Sequence, residues 1–207
     1  MGHFLEEIER DQKKARRRSL SHKKTVEAKK RLISENFEAN KEAYLAFIRT
    51  IYEMVEKVNN LPQEMRESFK KLTAVSKNTR LDNKLYYFAS SRREEKFSFF
   101  SFSWLKPKHF KYIRVFYIYI SKEPGFVTFE FKENKLERKR ISSSQEKEET
   151  SKKTSDRKDR VHVSYRYPLS RLDNEVAHQL IDWLVYKDQL HDLPIWNEIP
   201  FEEKRFF

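Results

Sequence analysis

The sequence contains no cysteine and only two glycines, Gly2 and Gly125. Without cysteine there are no disulfides, no thiol nucleophile and no cysteine-ligated zinc. Loops that cradle phosphates need several glycines, so that backbone N–H groups can approach the anion. Two isolated glycines exclude a P-loop and a dinucleotide fingerprint. No apolar run reaches the length of about 18 residues that a membrane span requires. The start lacks the apolar core of a secretory signal, and Glu6, Glu7, Glu9 and Asp11 argue against a mitochondrial presequence. These absences predict an intracellular, cytoplasmic protein with no transmembrane segment and no cofactor.

What is present is charge beside a core. Leu, Ile, Val and Phe make up 54 of 207 residues, above the share of roughly a fifth below which chains stay disordered. Charged residues reach 37% and the net charge is +12. A packed core must therefore adjoin heavily solvated helices, and the excess charge favours a polyanionic partner.

Residues 1–33 read as a highly charged helical arm carrying eleven basic and five acidic side chains. Its thin stripe, Phe4, Leu5, Ile8 and Ala15, fades through KKARRRSLSHKK at residues 13–24 and resumes at Val26 and Ile33. So thin a stripe argues against deep insertion into a membrane. From Ile33 the pattern is a wide amphipathic face: Phe37, Tyr44, Phe47, Ile51, Met54 and Val58 recur at three- and four-residue steps, and Ile48 and Val55 broaden it. With no Gly or Pro between them, the two stretches read either as two helices or as one rod. Asn59, Asn60 and Pro62 end the pattern. A further short helix is expected over 62–75, with Met65, Phe69 and Leu72 inward.

From Leu85 the period changes to two. LYYFAS, KFSFFSFSWL, YIRVFYIYI, FVTFEFK and RVHVSYRY read as strands. Pro124 and Gly125 suit the centre of a type II turn, so an antiparallel hairpin is expected there. Both faces of the middle strands look apolar, which predicts cover on both by helices or a partner. Residues 142–159 hold no large apolar side chain and read as a flexible polar loop. After Pro168 a closing helix is expected, with Ser170 and Asp173 spaced as a capping box and Leu172, Val176, Leu180, Trp183 and Leu184 inward. The prediction is α+β: N-terminal helices, an antiparallel sheet of about five strands, and a C-terminal helix packed on it, with residues 34–207 as a single domain.

Five groups of residues bear on chemistry. Glu130 and Lys132, two apart on a strand, share a face as metal-dependent nucleases require, yet no suitably placed Asp accompanies them. Alternating charge on a wet strand face explains the same letters. Glu175, His178 and Asp182 follow helical spacing, but carboxylate-bridged metal sites need such a motif twice. His178 and Asp182 are read instead as a surface pair. His162, His178 and His191 have no nucleophile at a recognisable spacing. Phe97, Phe99, Phe100, Phe102, Trp104, Tyr112, Phe116, Tyr117 and Tyr119, with Arg114 and Arg166 interleaved, suit either base stacking, a partner surface or a covered core.

The fifth group is the basic run. Nothing acidic interrupts residues 12–26, so local pairing cannot neutralise Lys13, Lys14, Arg16, Arg17, Arg18, Lys23 and Lys24. A block of this kind is a nucleic-acid arm or a solvated helix face. Arg16-Arg17-Arg18-Ser19 also has the form of a site for a basophilic kinase. The sequence thus predicts a binding protein rather than an enzyme, its seven basic residues contacting nucleic-acid phosphates. The competing expectation is an assembly or adaptor module that meets a protein partner, or itself, through the aromatic sheet and C-terminal tail.

Overall fold

One helix dominates the molecule. In the computed structural model, which describes residues 2–79, 83–96, 108–138, 157–198 and 205–206, α1 runs unbroken from Gly2 to Asn59. The arm and the amphipathic stretch are one rod, about 85 Å long at 1.5 Å per residue. Its second half packs on a sheet: Ile33, Tyr44, Phe47, Ile48, Ile51 and Val55 are buried, and Phe37, Met54 and Val58 partly so.

The sheet has six antiparallel strands in chain order: β1 (Thr73–Asn78), β2 (Lys84–Lys96), β3 (Lys108–Ile120), β4 (Phe126–Arg138), β5 (Arg157–Pro168) and β6 (Arg205–Phe206). Four long strands form its body and two short ones its edges. The strand expected at KFSFFSFSWL falls mostly at residues 97–107, outside the described residues. Of the loop expected at 142–159, residues 157–159 lie in β5 and the rest outside the described residues.

The short helix expected at 62–75 is a correction. Only Gln63–Arg66 turns, as a single 3₁₀ element, and Met65 lies exposed. Leu72 is buried, but it leads into β1, where Thr73 and Val75 extend to pair with Ala89 and Tyr87. Edge pairing satisfies this backbone more fully than an isolated turn could.

Cross-strand rows define the inner face. Phe88, Phe116, Phe131 and Val163 lie side by side, as do Tyr86, Ile118, Phe129 and Tyr165. Each row is buried, and Phe88 stacks on Phe116 at 4.7 Å between ring centres. Helix α2 (Asn174–Leu184) closes this face with Val176, Ala177, Leu180, Ile181, Trp183 and Leu184. Its N-cap is Asp173, which accepts from the Val176 N–H at 2.9 Å. The expected capping box is displaced, because Ser170 is held in a 3₁₀ turn fixed by buried Leu169. The tail docks through α3 (Pro194–Asn197), which buries Leu193 and Ile195.

Two asparagines fasten the packed half of α1. The Asn36 side chain donates to the carbonyls of Ser121, Glu123 and Phe126 and accepts from the Gly125 N–H at 2.9 Å. It thereby grips the β3–β4 turn, whose Gly125 has the positive φ of 79° that the type II turn requires. At the other end Asn59 bonds both the N–H and the carbonyl of Leu72.

Arg114 locks α2 to the sheet. It is only 1% exposed, and it points inward in the same row as Ser90 and Glu133. Nη1 donates to the carbonyls of Trp183 and Asp188 at 2.7 and 2.8 Å, Nη2 to Gln189, and Nε to Glu133 at 3.0 Å. A cation at a helix C-terminus meets the negative end of the helix dipole. Burial lowers its pKa and Glu133 opposes that shift. Tyr186, just past α2, takes φ 64°, a left-handed cap that usually falls to glycine. In a chain so poor in glycine, compensation comes from its ring lying between Arg92 and Arg114 and its hydroxyl donating to the Tyr112 carbonyl.

Candidate nucleic-acid interface

The arm is built from good helix formers, chiefly Lys, Arg, Glu and Ala, with no Pro. Every residue from Arg10 to Thr25 is exposed, and burial begins only with Val26. All seven predicted contact residues, Lys13, Lys14, Arg16, Arg17, Arg18, Lys23 and Lys24, lie in this free-standing stretch. Among the described residues the only ion pair these seven make is Lys14 with Asp11, at 3.7 Å and well exposed. Such a pair contributes little.

Helical phase sorts the seven. At about 100° per residue, Lys13, Lys14, Arg17 and Lys24 fall in one sector roughly 100° wide. Arg10 and Arg31 share that sector and were missed by counting charge along the chain; the helical period alone would have found them. The sector lies opposite the line of Ile8, Ala15, Val26 and Ile33 that leads into the packed face. Arg16, Lys23 and Arg18 flank it. From Arg10 to Arg31 there are eleven basic residues and two acidic ones. The result is a rod with a continuous cationic side, held at a fixed direction by the Asn36 clamp.

The outer sheet face is the second candidate. Tyr87 and Tyr117 touch at 5.4 Å between ring centres, and Lys132 Nζ lies 4.7 Å from the Tyr117 ring centre. Glu130 meets Lys132 at 2.7 Å and His162 at 2.6 Å. The structure thus adds His162 to Glu130 and Lys132, which the sequence already paired. Among the described residues no three His, Asp or Glu groups are placed to hold a metal ion. The cluster is a polar row across β4 and β5, in which Glu130 is ion-paired to Lys132 and hydrogen-bonded to His162.

The other sequence candidates separate. Arg114, Phe116 and Tyr112 belong to the inward-facing row set, so they offer no stacking platform. Tyr117 and Tyr119 point outward and are half-buried. Among the described residues helices cover only the inner face. Phe97, Phe99, Phe100, Phe102 and Trp104 lie outside the described residues. Arg166 pairs with Glu123. Asp182 pairs with Lys187 at 2.6 Å, not with His178 as expected, because the chain beyond α2 folds Lys187 back to it. His191 meets only Asp192 at the surface.

The class defined so far is an α+β chain whose helix-backed antiparallel meander carries a projecting basic helix. Among the described residues no helix is long and apolar enough to cross a membrane. No protein-family model, curated protein or solved structure matches the chain.

Proposed function

We propose that the protein is a non-catalytic nucleic-acid-binding protein whose basic helical arm grips phosphates. The observation that carries this reading is the exposure of the whole of Arg10–Thr25 together with the near absence of ion pairs there. Charges that are neither buried nor paired keep their full potential for a polyanion, and Lys and Arg contacts to phosphate add affinity without reading sequence. The sector of Lys13, Lys14, Arg17 and Lys24 meets one side of a duplex or strand.

The test is binding of labelled double- and single-stranded DNA and RNA across a salt series. The full chain is compared with a variant in which the seven residues are replaced by Gln. Each neutralised phosphate contributes about 0.9 to the slope of log affinity against log salt for duplex DNA. With the four residues of the sector facing phosphates, the variant should lose about 3–4 from the slope and bind weakly at every salt concentration. Equal slopes in the two proteins would overturn the reading.

A second reading, a protein assembly module, draws on the outer face, where the Tyr87–Tyr117 pair lies beside the Ala89–Val115 pair. It predicts self-association, or a partner, that persists at high salt. The tail contributes less to such an interface than the sequence suggested, since Leu193 and Ile195 are used in the core.

A further inference from the structure

Far from the arm, the fold assembles a second set of cations that no sequence run reveals. The Lys70 N–H donates to the Ser91 carbonyl at 2.8 Å. That bond holds Lys70-Lys71 beside Arg92-Arg93. With Arg66 they line an open groove beside the end of α1. Among the described residues none of these five cations is in an ion pair, although Glu64 and Glu67 stand on the same rim.

Arg92 is the fixed member. Its guanidinium lies 5.0 Å from the Tyr112 ring centre and 4.8 Å from that of Tyr186, and its Nε is buried with no hydrogen-bond partner. A cation held in place by aromatic rings loses little entropy on meeting an oxyanion. Lys70, Lys71 and Arg93 are exposed around it.

We propose that this groove is a second phosphate site, occupied by the backbone of the same nucleic acid that the arm holds. The proposal rests on the arm reading for the identity of the polymer. A chain of regularly spaced phosphates is the anion that meets two cationic regions on one molecule. Asn59 anchors the end of α1 to Leu72, beside the groove. Lys24 lies 35 residues earlier on the same helix, so the two regions stand about 50 Å apart at 1.5 Å per residue. At 3.4 Å per step, a duplex must exceed about 15 base pairs to touch both.

The experiment uses the full chain, its Lys70→Gln/Lys71→Gln/Arg93→Gln variant and the seven-Gln arm variant, with DNA duplexes of about 10 and 30 base pairs in a salt series. Arg92 is left intact because it packs against Tyr112 and Tyr186. The groove variant should lower the salt slope by about 2–3 on the long duplex and leave the short one unchanged. An unchanged slope on the long duplex overturns the groove. An equal loss on both lengths overturns the bridging of the two sites by one polymer. The arm variant is read separately: if it alone leaves binding untouched, the arm reading fails and the groove result still stands on its own variant.

Discussion

The two halves of α1 share a backbone conformation and little else. From Ile33 to Asn59 the helix buries Tyr44, Phe47, Ile48, Ile51 and Val55 against the sheet, worth roughly 2 kcal/mol each. From Arg10 to Thr25 it buries nothing. There it rests on helix propensity and on continuity with a half already nucleated, with one exposed ion pair worth a few tenths of a kcal/mol. One half is a structural wall and the other a presented charge. The lesson is that a continuous helix can change purpose at a single residue, here near Val26, where side chains first meet the body.

The comparison is sharpened most by Arg114. Arg114→Leu leaves Glu133, Gln189 and two carbonyls without their donor, and should cost the folded body about 3–5 kcal/mol in chemical denaturation. Helix α1 offers the matched pair. Arg49→Pro, at an exposed site in the packed half, should destabilise by about 3 kcal/mol or more. The same change at Ser21 should leave global unfolding within about 0.5 kcal/mol while lowering helix content by circular dichroism. Equal costs at the two sites would break the distinction. The smallest effect is expected at Tyr165, whose buried hydroxyl has no hydrogen-bond partner. Tyr165→Phe should leave stability unchanged or raise it by a few tenths of a kcal/mol. Burial also raises the pKa of Tyr165 and Tyr44 well above the ordinary value. The unfolded chain then loses these protons first, so stability should fall as pH rises above about 10. The Tyr165→Phe protein should fall less steeply in an alkaline melt.

Periodicity in the sequence carries most of this fold. The wide stripe of α1, the type II turn at Pro124-Gly125 and the inward residues of α2 follow from spacing and from backbone preference. Arg114 did not, and the reason is physical. Alternation says that Arg114, Phe116 and Ile118 share a face while Val115, Tyr117 and Tyr119 share the other. Both sets are apolar, so alternation cannot say which one is inside. Asn36 was hidden because a polar residue on a charged helix reads as solvated. The stretch 62–75 reads as helix because Met65, Phe69 and Leu72 mimic a helical step, and only the partner strand of Thr73–Val75 decides otherwise. For the interface, the basic run was legible from charge alone and its stripe from helical phase. The groove was not, because Lys70-Lys71 and Arg92-Arg93 meet only through the tertiary bond from Lys70 to Ser91.

The most direct test of the central claim is amide hydrogen exchange on the full chain, with and without a duplex of about 30 base pairs. In the free protein, the amides of residues 10–25 should exchange far faster than those of residues 44–55. Nucleic acid should slow exchange through the arm and leave the rows of Phe116, Phe129 and Phe131 as they were. Protection that appears on the sheet, with the arm exchanging as before, would contradict the account.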